Sequence, residues 1–303
     1  MLMGLMAFSV YARKDAKLGI GAGLCASALL AISPQTVPFA ALAMLWFAID
    51  WATDRGEHGG VANQKTRYFG YSIVSGTIIL NLSSLHDWAS TSSSCGPLSM
   101  AHTAPVVLAG LGLAHLARTT NEFAELRQRL GCITFVALIA ISASFAANPT
   151  CLVSAASTID ALWTQKYGLL SVLNNNPRGA YILLATPIIG MGAAAVALIS
   201  NLGPQGAGRA AWALLLSFLL TAIVILITDV RLATYANALA IIPCAYFVLM
   251  VGGLTRMGRP TSLAGALFIV VWLSGMNITH VVVAKYVLPG EFEGNAQSTL
   301  SPQ

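Results

Sequence analysis

The residues able to do chemistry in this sequence are few, and they stand in the breaks between apolar runs. Asp87 follows His86 in "HDW", and Asp160 lies in "STIDALWTQKYGLLSVL". Each is a carboxylate that could serve as a general acid or base, or simply be a solvated loop group. Arg231 stands two residues from Asp229 in "DVRLATYANALAIIP". Three roles are open to it: a contact with Asp229, an interfacial anchor, or a cation over the headgroups that binds a lipid phosphate, for which a guanidinium is suited. Ionisable groups within membrane spans are costly and often functional, so Asp50 and His280 also count. Asp50 and Asp229 lie near the ends of their runs, where both can reach water. Asn277 and His280 are one turn apart and spaced to hydrogen-bond within a bundle, whereas His115 suits packing.

The five cysteines divide by position. Cys25, Cys132 and Cys244 fall inside apolar runs and read as small buried hydrophobes. Cys95 and Cys151 are the two in breaks, and a disulfide between them would tie two long loops together on an oxidising side. His86 and His102 make no recognised ligand spacing with these cysteines, so no metal site is expected. A phosphate loop, a Ser/His/Asp motif and an internal repeat are all missing from the sequence, and no cofactor is implied.

The elements that must position these residues follow from composition. Of 303 residues, 56% are apolar and 9% charged, and the mean hydropathy is +0.74. Soluble chains carry about 25% charged residues, so the surrounding solvent here must be lipid. About 20 uncharged residues cross a bilayer as a helix, and lipid requires every backbone polar group to be satisfied internally. The expectation is an all-α polytopic transmembrane helical bundle, one domain over 1–303 with about nine to ten segments. The runs are 1–12, 18–32, 36–52, 68–85, 101–117, 130–147, 180–202, 210–228, 236–253 and 262–284. The tail 286–303 reads as disordered.

Charge placement gives an orientation. Twelve cations fall on one side: Arg13, Lys14, Lys17, Arg55, Lys65, Arg67, Arg118, Arg127, Arg129, Arg209, Arg256 and Arg259. Four fall on the other: Lys166, Arg178, Arg231 and Lys285. By the positive-inside rule, loops 53–67, 118–129 and 254–261 face the cytoplasm. The long breaks 86–100 and 148–179 are external, in the periplasm if the host is Gram-negative. In the second of these, Trp163 and Tyr167 suit an interfacial helix at headgroup level, or a loop helix packed on the bundle. The net charge of +5 comes from single cations at run ends rather than a basic cluster, which excludes a nucleic-acid partner.

Several stretches resemble a known family. "LGIGAGLCASALLAISPQTVPFAALAMLWFAIDWA", "SCGPLSMAH", "NPTCLVSAASTIDALW" and "DVRLATYANALAIIP" are similar in order and spacing, over most of residues 18–250, to proteobacterial multi-pass proteins of the GT-C glycosyltransferase type. The resemblance implies a protein of the bacterial inner membrane that works with a polyprenyl-phosphate sugar at the outer face. Arg231 would then match the cation for the donor phosphate. The chain departs from the family's pattern at Gln35, Gly96 and Asp229. Its first outer break, "SPQ", holds no acid where the family keeps its catalytic Asp. The expectation is therefore a GT-C-like protein without the N-terminal catalytic part, incomplete as a catalyst and a possible partner of another membrane subunit. The competing readings are a small transporter and a structural membrane subunit.

Overall fold

Long charge-free runs leave the backbone one economical choice, and the chain takes it. The computed structural model describes residues 15–32, 36–53, 59–83, 100–119, 125–147, 177–199, 209–228, 233–256, 280 and 283. Among them are eight helices and no strand: α1 (Leu18–Ile32), α2 (Val37–Thr53), α3 (Gly59–Ser83), α4 (Met100–Arg118), α5 (Leu126–Ala147), α6 (Pro177–Ile199), α7 (Arg209–Thr228) and α8 (Ala233–Arg256). Three stretches are long and apolar enough to cross a membrane: Leu126–Ala147, Arg178–Ile199 and Arg209–Leu226. The runs expected at 1–12 and 262–284 lie outside the described residues, apart from His280 and Val283.

Within the described residues helices occur where they were expected, but several are longer than hydropathy suggests. The run expected at 68–85 is the tail of a helix that begins at Gly59. Lys65 and Arg67, read as loop cations, are therefore helical. Lys65 is 7% exposed, its Nζ 4.0 Å from Asp50 Oδ2, while the neighbouring Thr66 hydroxyl donates to the Phe47 carbonyl at 3.1 Å. A hydropathy boundary stops at the first charge, whereas a helix continues if that charge finds a partner and its aliphatic stem is covered. The cytoplasmic loop expected at 53–67 shrinks accordingly. Similarly α5 starts at Leu126 rather than 130, with Arg127 and Arg129 in its first turn.

The chain divides into two compact units, one of residues 1–162 with 194–224, the other of 163–193 with 225–303. In the first, α3 is the central strut. It packs in parallel on α1 and antiparallel on α4, and glycines set both distances. A Cβ at Gly23 would meet the Ser72 hydroxyl and lie 2.7 Å from the Phe69 carbonyl oxygen. Gly70 brings its Cα face to within 2.6 Å (Cβ position) of the Gly110 carbonyl oxygen. Small residues of this kind let membrane helices meet backbone to backbone. Phe47 and Phe69 stack between α2 and α3 with centroids 4.2 Å apart. Trp46 Nε1 donates to Ser217 Oγ on α7 at 2.9 Å.

In the second unit, α6 and α8 cross where Gly190 faces Ala240. Leu226 and Ala233 are buried there, covered by Leu183 and Leu184. The free cysteines among the described residues are half-buried (Cys25, Cys132) or buried (Cys244), in keeping with their expected role as small apolar groups.

Candidate functional site

The residues singled out from sequence as a site are not the ones whose geometry can be described. Asp87, Asp160, Arg231, Cys95, Cys151, Trp163 and Tyr167 all lie outside the described residues, as do Asp229 and Asn277. The site that emerges is assembled instead from three helices of the first unit.

Helices α2, α4 and α5 enclose a groove of about 680 Å³. Its walls are almost wholly apolar. Pro38, Ala41, Met44, Leu45 and Ala48 line it from α2, Pro105, Val106, Ala109 and Leu113 from α4, and Ile133, Val136, Ala137, Ala140, Ile141 and Phe145 from α5. Six of the lining residues are alanines, Ala40, Ala41, Ala48, Ala109, Ala137 and Ala140, which fill little of the space. Helix α5 packs on α4, where Gly112 meets Val136, and leaves most of its surface bare, with only 6% of its apolar stretch buried.

Polarity is confined to one end. His102, in the first turn of α4, and Ser144, in the last turn of α5, line the groove where Val37 opens α2. Two helix N-termini thus meet at this mouth, neither with an acidic residue in its first turn. The partial positive charge of each faces the mouth beside the C-terminal turn of α5, which carries the opposite sign. The result is an apolar trough with a polar mouth.

Past Ala48 and Leu113 the same helices converge on a cluster of Trp51, Ala52, Leu116 and Ala117, with Cys132, Ile133 and Val136 packed on it. Trp51 is fully buried. Arg129 lies over its ring at 5.6 Å from the centroid, a cation–π distance. The same guanidinium donates from Nη1 to the Trp51 carbonyl at 3.1 Å. That carbonyl is among the last four of α2, which have no partner inside the helix, so Arg129 caps one helix from the first turn of another.

A second polar arrangement belongs to the other unit. His280 is 4% exposed, its Nδ1 3.3 Å from the Tyr181 hydroxyl, and the rings meet edge to face at 5.6 Å. His280 was expected to hydrogen-bond within the bundle, and its described partner there is Tyr181. His115, expected to pack, is exposed and lines a shallow cleft of about 580 Å³ beside α4 and α5 with Gln128. Among the described residues no three His, Cys, Asp or Glu side chains gather as metal ligands.

Sequence reasoning missed the groove, its histidine and its arginine cap. The signal present was the run of alanines at Ala40, Ala41, Ala48, Ala109, Ala137 and Ala140, too small to fill the space between helices. Searches of family models, curated proteins and solved structures found no match to this chain.

Proposed function

We propose that this chain is a GT-C glycosyltransferase-like protein of the bacterial inner membrane that holds the lipid part of a polyprenyl-phosphate sugar and does not transfer the sugar by itself. The observation that carries the reading is the α2–α4–α5 groove. Its walls suit a hydrocarbon chain, its volume lies in the range of ligand sites, and its polar mouth falls at the end that the charge asymmetry assigns to the outer face. A chain lying from Val37 to Ala48 would extend about 16 Å at the helical rise, close to one leaflet of a bilayer core of about 30 Å. His102 and the two helix N-termini would face the anionic headgroup; Arg231, outside the described residues, keeps only the phosphate-binding role that the resemblance implies. The absence of an acid in "SPQ" supports binding without catalysis.

Photolabelling tests this reading. Protein in lipid nanodiscs, exposed to a photoactivatable polyprenyl phosphate, should crosslink within the α4 and α5 segments, and unlabelled polyprenyl phosphate should compete where phosphatidylglycerol does not. Labels spread evenly over the bare face of α5 would defeat the proposal. Sugar turnover lost in Asp87→Asn would instead show that the catalytic acid is present and lies at Asp87.

The Asp50–Lys65 pair favours a second reading, a small transporter, because intramembrane ion pairs often mark ion pathways. Solute uptake into proteoliposomes that is abolished by Asp50→Asn would favour it over lipid holding.

A further inference from the structure

Threonine hydroxyls in these helices turn back on their own backbone in several places. Thr53, Thr134 and Thr221 each donate to the carbonyl four residues earlier, at 2.8 to 2.9 Å. Such a bond satisfies the hydroxyl within one helix. Thr186, near the middle of α6, makes none: it is 4% exposed and its Oγ1 has no hydrogen-bond partner. On α8 the Oδ1 of Asn237 is buried in the same condition. Both residues belong to the second unit, and Thr186 falls inside the stretch Arg178–Ile199 that is long and apolar enough to cross a membrane. In lipid there is no bulk water to take up such groups.

The crossing of α6 and α8 puts the two residues at one level. Gly190 meets Ala240, its Cβ position 2.6 Å from the alanine Cβ. Seven residues earlier on α6, Leu183 packs with Leu184 on the cluster of Leu226 and Ala233, and Ala233 stands seven residues before Ala240. The two helices therefore run in the same direction with matching registers. Thr186 is four residues before Gly190 and Asn237 three before Ala240, spacings that keep a residue on the same helix face. A third oxygen joins them. Pro187 has no N–H, so the Leu183 carbonyl lacks its donor inside α6. A helix carbonyl points along the axis toward the residue four ahead, which aims this one at the level of Thr186.

We propose that a single water molecule is bound between α6 and α8 by Thr186, Asn237 and the Leu183 carbonyl. The water accepts from the Thr186 hydroxyl and donates to Asn237 Oδ1 and to the carbonyl of Leu183. Three bonds are about what a buried water makes. A cation fits less well, since hard cations take about six or more oxygens and neither helix contains an Asp or Glu. The water fills the gap that Pro187 opens in the backbone ladder and joins the two helices one turn from their close approach. The site does not depend on the groove or on the proposed function.

Stability of the full chain in lipid nanodiscs tests the site by its sign. Replacing a buried polar atom that has no partner with an apolar group of the same shape relieves a desolvation cost. Without the water, Thr186→Val would therefore raise the unfolding midpoint. With the water bound, the substitution removes its donor and should lower the midpoint by about 2–4 °C, as should Asn237→Leu. The double variant should fall by less than the sum, because one water serves both residues. A second readout does not depend on folding energy. In water-edited solid-state NMR of threonine-labelled protein, the Thr186 methyl is identified by its loss in Thr186→Val. It should receive water magnetisation early although buried, and should lose that gain in Asn237→Leu. Overturning results are a raised midpoint in either single variant, additive losses, or a Thr186 methyl as slow as that of Thr66, which is 1% exposed and bonded to the Phe47 carbonyl. Stabilisation by sodium over choline at equal ionic strength, lost in Thr186→Val, would overturn the water in favour of a cation.

Discussion

The two sides of the first unit use small residues to opposite ends. Along α1, α3 and α4, glycines and serines meet other small groups or bare backbone, so the helices touch: Gly23 against Phe69 and Ser72, Gly76 against Ser27, Gly70 against Gly110. Around α2, α4 and α5, alanines line the walls without filling the space between them, and a groove of about 680 Å³ remains. Burial shows the same contrast among the spanning helices. The apolar window of α7 is 44% buried and that of α5 only 6%, although both are long and apolar enough to cross a bilayer. Apolarity thus says that a helix can live in lipid, and says nothing about which of its faces meets protein.

The largest effect should come from disturbing the tight side. Gly23→Leu would place a side chain 2.7 Å from the Phe69 carbonyl oxygen and 2.9 Å from the Ile73 nitrogen, backbone atoms that cannot swing away. Overpacking of this kind costs typically about 1–3 kcal/mol and sometimes more. Thermal unfolding in detergent should show a loss at the upper end of that range. The same enlargement on the open side, Ala137→Leu, should change stability by less than about 0.5 kcal/mol while lowering photolabelling by a polyprenyl phosphate. Equal losses from the two substitutions would erase the distinction between the sides.

An intermediate effect is expected at the junction of α2 and α3. Asp50→Asn leaves the Lys65 ammonium, 7% exposed, without its nearest carboxylate. Breaking a fully buried pair costs about 3–5 kcal/mol, and the 27% exposure of the Asp50 side chain screens this one, so a loss of about 2 kcal/mol is expected. Replacing both partners together, Asp50→Leu with Lys65→Met, should recover most of it, since no stranded charge remains. A double variant as unstable as the single one would mean that Asp50 acts through contacts other than Lys65.

The smallest effect belongs to Ser217→Ala, which removes the acceptor of the Trp46 indole N–H. One such bond contributes about 1 kcal/mol. A change several times larger would indicate that this hydrogen bond orders α7 against α2 in the first unit beyond its own strength.

Helix identity and helix order could be read from the sequence, because both depend on local facts: the length of each charge-free run and the turn residues that separate runs. The expected 18–32 and 36–52 segments reappear as α1 and α2 within a residue. Helix starts were harder wherever a cation opened the helix. At Lys65 and Arg129 the stabilising partner sits on another helix, Asp50 in one case and Trp51 in the other, and no window along the chain contains both members. The alanines around the groove were visible as letters, yet an alanine that closes a contact and one that lines a void are identical in sequence. Tertiary packing alone decided between them: whether a small side chain brings two helices together or keeps them apart depends on what stands opposite, and that is settled only when the helices meet.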